Sequence, residues 1–269
     1  MVSVGTVWDR TMDVIAGRFA ILASIALMLL FVPTVLQALV DANTSGSTTS
    51  IIGGLVSIAV AVATAIGALA ITAVATDPSV DRGSALAIGG ARVGPLLGIL
   101  IVLVLVLFMA ALPGVLLLVS SGFDPVRARA NLPQEGVNLA SAGFASLYFM
   151  ALLIALFWVT ARLVPLLAVI VNERLGLGAI RRSFALTRGS TMKLIGVLIL
   201  YSIVMLVTLL AVTSIIGVVV RLVVGSEGAA TVTFMVALAT AAVTAVFSVL
   251  QSVFSGQFYL AARDARGEA

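Results

Sequence analysis

The residues of this chain that could do chemistry are cations. Arg162 stands alone inside an apolar run, and Arg174, Arg181, Arg182, Arg188 and Lys193 follow it in one short basic stretch. An arginine at mid-depth in a bilayer costs roughly 2.5–3.5 kcal/mol on insertion scales, so it calls for a partner or a function. The partners in reach by spacing are the Trp158 ring one turn back, Gln251, and carbonyls freed by Pro165. Snorkelling toward headgroups and contact with a substrate are the competing roles. The basic stretch reads in two ways. It binds anionic headgroups, at about 1 kcal/mol per basic residue near such a surface, or it serves only as a topological signal.

Other chemistries fail on composition. The chain has no Cys and no His, which excludes disulfides, Cys/His zinc sites, haem ligation and His-based triads. Asp9, Asp13, Asp41, Asp77, Asp81, Asp124, Glu135, Glu173, Glu227, Asp264 and Glu268 lie outside the apolar runs or at their ends. None of them forms a close set with metal-binding or acid–base spacing. No carboxylate lies within a span, as proton- or sodium-coupled transport usually requires. Gly53-Gly54 and Gly89-Gly90 lack the strand–loop–helix context of a phosphate loop. No catalytic, cofactor-binding or metal residue is expected.

The elements that must position these cations are membrane spans. Hydrophobic residues make up 62% of the chain and charged residues 10%, against about 25% charged in soluble domains. Six apolar runs reach or exceed the roughly 20 residues needed to cross a hydrocarbon core: residues 19–40, 51–76, 94–119, 142–171, 192–220 and 230–254. The expected fold is therefore an all-α, polytopic membrane helix bundle in one integral membrane domain. A polar turn over 41–50, a Gly-rich link over 79–93 and a polar loop over 120–141 join the spans. The first run is read as a retained span, because Asp9 and Asp13 precede it and its core exceeds that of a signal peptide.

Charge sets the orientation. Arg10, Arg18, Arg82, Arg92, Arg174, Arg181, Arg182, Arg188, Lys193, Arg263 and Arg266 fall on one side, and Arg127, Arg129 and Arg221 on the other. The positive-inside rule then puts both termini in the cytoplasm. Val4, Trp8, Met12, Ile15 and Phe19 share one face of an N-terminal amphipathic helix suited to the lipid interface. Leu177, Ile180 and Phe184 share a face of a second, with Arg182 opposite. Pro33, Pro113 and Pro165 should kink three spans, and the small residues of the second and sixth spans favour close helix packing over a pore. Leu96-Leu97-Gly98-Ile99-Leu100 matches Leu194-Ile195-Gly196-Val197-Leu198 without gaps, pointing to three hairpin repeats with interfacial helices.

One stretch resembles a known family. Ala161-Arg162-Leu163, Pro165, Val171-Asn172-Glu173-Arg174 and Ala179-Ile180-Arg181-Arg182-Ser183-Phe184-Ala185-Leu186-Thr187-Arg188-Gly189 look like the bacterial glycerophosphoryl diester phosphodiesterase membrane-domain family. The motif likeness covers about forty residues, and Met192 stands where that family often has an aromatic residue. The resemblance implies a six-span protein of the bacterial inner membrane tied to lipid or envelope physiology. In some members this region precedes a soluble phosphodiesterase barrel. These 269 residues contain neither a barrel nor its catalytic groups, so that activity is not carried over. The expected role is a non-enzymatic scaffold or lipid-interacting module. The bilayer and its anionic lipids are its partners, nucleic acid is not, and a homo-oligomer or a membrane-protein partner stays open. The alternative is a facilitative transporter or channel with Arg162 in its pathway.

Overall fold

The computed structural model describes residues 3–43, 47–134, 136–225 and 228–268, with the side chains of 41–43, 47–50 and 52 left aside. Part of the expected 41–50 turn, Glu135 and Glu227 thus fall outside the described residues. What is described is all-α, with no strand. The helices are α1 (Val4–Gly17), α2 (Phe19–Ala26), α3 (Val32–Asn43), α4 (Ser47–Thr76), α5 (Arg82–Ser120), α6 (Pro125–Arg129), α7 (Leu139–Arg162), α8 (Leu166–Asn172), α9 (Gly178–Leu186), α10 (Thr191–Val224) and α11 (Ala229–Asp264). Six helical segments are long and apolar enough to cross a membrane. The chain is a multi-pass membrane protein.

Three antiparallel pairs, α3–α4, α5–α7 and α10–α11, form the hairpins, and α4 and α11 run through the middle of the bundle. Their small side chains permit this. Buried residues make up 44% of the apolar window of the second span and none of that of the fifth, whose inner side is only half-buried against α11 and α7. Buried residues gather near the ends of helices that share a face with both termini: Leu69–Ala75, Leu166–Val171 and Ser252–Tyr259. Toward the opposite face the helices present Leu, Val, Ile and Phe outward, as lipid-facing surfaces do. The protein is densest at this terminal face.

Two departures of the helix boundaries from expectation have a clear physical reason. The expected Gly-rich link over 79–93 is largely helix, because α5 starts at Arg82 behind an Asp81 cap that accepts from the Ser84 amide at 2.8 Å. Gly89, which reads as a linker glycine, is a packing residue. A Cβ there would lie 2.7 Å from the Ile66 carbonyl oxygen of α4, closer than two atoms can approach without the helices moving apart. The sixth span does not stop at 254 but continues to Asp264. Ser255 and Gln257, which lie past the expected end of the span, turn inward. The Ser255 hydroxyl donates to Val164 O at 2.6 Å and the Gln257 amide to Ala75 O at 2.6 Å.

The fourth span breaks at Leu163–Pro165 into α7 and α8, at the kink expected of Pro165. Proline removes a donor and clashes with the preceding turn, and the Ser255 bond to Val164 O satisfies a carbonyl at the break. Pro33 follows a widened π turn at Leu27–Phe31. Pro113 lies inside α5, where the Tyr148 hydroxyl donates to Ala110 O at 2.6 Å. The matched segments at 96–100 and 194–198 also differ in context. α5 is continuous through its entry, whereas Thr187–Ser190 separates α9 from α10.

Gly89→Val should destabilise the bundle by about 2–3 kcal/mol through overpacking against backbone. Thermal unfolding of the detergent-solubilised protein measures it. A smaller loss is expected for Gly98→Val, since a Cβ at Gly98 meets nothing within 4 Å.

Candidate functional site

The terminal face is assembled from both amphipathic segments and the ends of α4, α8 and α11. α1 lies on α11 with Val7 and Thr11 buried, while Trp8 and Phe19 remain 45% and 66% exposed. The N-terminal helix is thus docked on one side and apolar outward on the other. α9 buries Ala179, Ser183 and Leu186, leaving Leu177 exposed. Its packed face is rotated from the expected Leu177–Ile180–Phe184 stripe because Arg182 is drawn inward.

Five arginines on this face donate to oxygens within the protein. Arg18, at the α1–α2 corner, donates to Val74 O at 2.8 Å, Asp77 O at 3.0 Å and Val80 O at 3.0 Å, and also to Pro78 O. Its fork closes the C-terminal end of α4, where helix carbonyls have no amide partner and positive charge is favoured. Arg162 ends α7 and donates from Nη1 to Phe184 O near the C-terminal end of α9, at 2.9 Å. Its guanidinium carbon lies 5.0 Å from the Trp158 ring centre and 5.6 Å from that of Phe184, and those two rings pack edge-on. Its Nε is buried and without a partner among the described residues. Of the partners expected by spacing, Trp158 is in place. Gln251 instead accepts from the Tyr201 hydroxyl at 3.4 Å, and the carbonyl at the Pro165 break goes to Ser255.

Arg182 is the hub of an ion network. Its Nε donates to both Glu173 oxygens at 2.9 Å, and its Nη2 to the Glu268 carboxylate of the C-terminal tail. The Tyr259 hydroxyl donates to Glu173 at 3.2 Å, with Arg263 over the Tyr259 ring. Arg263 also donates to Glu268 O, and Arg266 to Ala185 O at the end of α9. α9 with its flanking turns (the elbow), the exit of α8 and the tail are thereby joined. The Glu268 bond raises the Arg182 pKa above its ordinary value, with Glu173 acting in the same direction. The Arg182 hydrogen bond conversely lowers that of Glu268, helped by Arg266 and Arg263.

A depressed carboxyl pKa sets the sign of the pH effect. Tail docking is fully favoured above the ordinary glutamate pKa of about 4.3 and is lost as pH falls through the lower folded value. The chain has no cysteine, so Ala265→Cys gives a single labelling site beside the latch. A spin label there should be immobile at neutral pH and mobile in strong acid. Glu268→Gln should make it mobile at neutral pH.

The remaining cations of the basic stretch behave differently. Arg174, Arg181, Arg188 and Lys193 are exposed, and their side chains make no hydrogen bond or ion pair among the described residues. Arg174 adopts φ +55°, a left-handed conformation more natural to glycine that costs a side chain roughly 1–2 kcal/mol. The basic stretch therefore divides into an internal clamp, Arg182, and four free charges on one outer surface.

Below this surface lies a cleft of about 840 Å³ between α7–α8, α10 and α11, lined also by Trp8 of α1. Its walls are mostly aliphatic, with Thr160, Tyr201, Ser248, Gln251, Ser252 and Ser255 as polar groups. A second cavity of about 420 Å³ shares Ala68, Leu96, Leu100 and Ser248 with it and reaches Thr34 and Thr64. Arg162 lines neither. Comparison with family models, curated proteins and solved structures finds no match to this chain.

Proposed function

We propose that this protein is a non-enzymatic, lipid-interacting module of the bacterial inner membrane, with both termini in the cytoplasm. The observation that carries the reading is the split of the basic stretch. The side chains of Arg174, Arg181, Arg188 and Lys193 stand exposed and have no partner among the described residues, while Arg18, Arg162 and Arg182 are consumed by structural contacts. Four free cations beside a bilayer attract anionic headgroups at about 1 kcal/mol each. The forty-residue likeness to the glycerophosphoryl diester phosphodiesterase membrane-domain family agrees with a lipid-linked role, and the charge asymmetry supports cytoplasmic termini. The transporter alternative loses its main support, since Arg162 is tied to Phe184 O and the Trp158 ring and lines neither cavity.

Brominated lipids test this directly, because Trp8 and Trp158 both belong to the half of the bundle that carries the termini. In mixed vesicles, brominated phosphatidylglycerol should quench tryptophan fluorescence several-fold more, per mole, than brominated phosphatidylcholine. The difference should shrink at high salt, where screening shortens to a few ångströms. Equal quenching by the two lipids at low salt would sink the proposal.

A further inference from the structure

Three features of the larger cleft bear on what fills it. It opens sideways: Trp8, Leu200 and Val204 on its rim are 45%, 63% and 46% exposed on the outer surface of the bundle. In a membrane that surface meets hydrocarbon, so the cleft communicates with lipid chains. Its volume of about 840 Å³ falls in the roughly 300–1,000 Å³ range of sites that hold ligands.

The second feature is an unmatched donor. Gln251 lines the cleft, and its Oε1 accepts from Tyr201 at 3.4 Å. Its amide N–H groups have no partner among the described residues. A polar group left unpaired in hydrocarbon costs several kcal/mol, so an acceptor oxygen brought by a ligand would be favoured there. The one proton of the Tyr201 hydroxyl is shared between Phe247 O at 3.0 Å and Gln251 Oε1 at 3.4 Å, and its oxygen can accept from at most one of the two amide protons, so a donor is left over.

The third feature is charge at the mouth. At 100° per residue, Lys193 lies within about 40° of Val197, Leu200 and Val204 on α10, all of which line the cleft. Lys193 therefore heads the cleft-facing stripe, and it is one of the free cations. It stands eight residues before Tyr201, about 12 Å along the helix.

From these we infer that the cleft seats one acyl chain of an anionic glycerophospholipid, with its phosphate at Lys193 and an ester carbonyl accepting from Gln251 Nε2. Apolar walls, an isolated amide donor and a cation follow one another from the bundle interior to its terminal face, in the order of chain, ester and phosphate. This deepens the lipid-interacting reading and rests on it, yet it makes a separate claim: one stoichiometric lipid in addition to a general attraction.

Native mass spectrometry of the protein released from nanodiscs of mixed phosphatidylglycerol and phosphatidylcholine distinguishes the two. The expected result is one phosphatidylglycerol retained per chain. Leu198→Trp, which fills the cleft, should abolish retention, and Gln251→Leu should lower it at least several-fold while keeping the fold. Lys193→Gln should remove the preference for phosphatidylglycerol in the retained lipid. Absence of any retained lipid, or retention unchanged in both Leu198→Trp and Gln251→Leu, would overturn the inference. In that event the quenching preference for brominated phosphatidylglycerol could persist, and the general lipid reading would stand without the cleft.

Discussion

Arg18→Ala should be the most damaging single substitution on the terminal face, lowering stability by about 2–4 kcal/mol. One guanidinium holds the carbonyls of Val74, Asp77, Pro78 and Val80. Removing it strips that donor from all four, and among the described residues only Asp77 O keeps another, the Val80 amide at 3.3 Å. The bonds to Val74 and Val80 are part-buried. The same turn is braced by Asp77, whose carboxylate accepts from the Ser79 hydroxyl at 2.7 Å, a bond that lowers its pKa. That brace fixes the turn but supplies no donor to the carbonyls. Lysine should rescue poorly, because an ammonium cannot present a planar fork to several oxygens at once. The measurement is thermal unfolding in detergent together with trypsin cleavage after Arg82, which should accelerate as the turn loosens. Unchanged cleavage and an unchanged midpoint would show that the clamp contributes nothing.

Arg162→Ala should cost about 2–4 kcal/mol, with its effect concentrated in the elbow. The side chain supplies a charged hydrogen bond to Phe184 O, worth roughly 1.5–3 kcal/mol, and a cation–π contact with Trp158, worth about 0.5–2 kcal/mol. These terms share one group and do not simply add. Loss of both frees α9 from α7, so trypsin should cut after Arg181 and Arg182 faster than in the parent. A transport residue would behave otherwise, leaving elbow protection unaltered. Arg162→Lys should restore part of the hydrogen bond and little of the ring contact.

Much of the fold was legible from hydrophobic run length alone, since six stretches of apolar residues admit few other structures in a bilayer. Small residues in the second and sixth spans marked the helices that became the centre. What could not be read was the terminal face. Arg18 looked like one more topological charge, because its partners are main-chain carbonyls some sixty residues away, and backbone acceptors carry no residue identity. Ser255 and Gln257 lie past the expected end of the sixth span, and their partners too are main-chain carbonyls. Gly89 looked like a link, since a glycine needed for close helix approach and one that breaks a helix are the same letter.

The basic stretch was visible as a group but not as two populations. Arg181 and Arg182 are adjacent and chemically identical, yet one helix position apart is 100° of rotation. That rotation turns Arg182 onto Glu173 and Glu268 and leaves Arg181 facing outward. Separating them requires knowing where the tail lies. Arg162 was singled out correctly as unusual, and its Trp158 contact followed from helical spacing. Its bond to Phe184 depended on how α9 folds back, which periodicity does not encode.

The division between clamping and free cations is tested most directly by comparing two variants in one lipid assay. One replaces Arg174, Arg181, Arg188 and Lys193 with Gln, and the other replaces Arg182 alone. Each is reconstituted with brominated phosphatidylglycerol or phosphatidylcholine, and its melting midpoint is recorded alongside the quenching. The fourfold variant should lose the phosphatidylglycerol preference and keep the parent's midpoint. Arg182→Gln should keep the preference and melt several degrees lower. The reverse pattern, with lipid preference lost on replacing Arg182 and retained in the fourfold variant, would contradict the account.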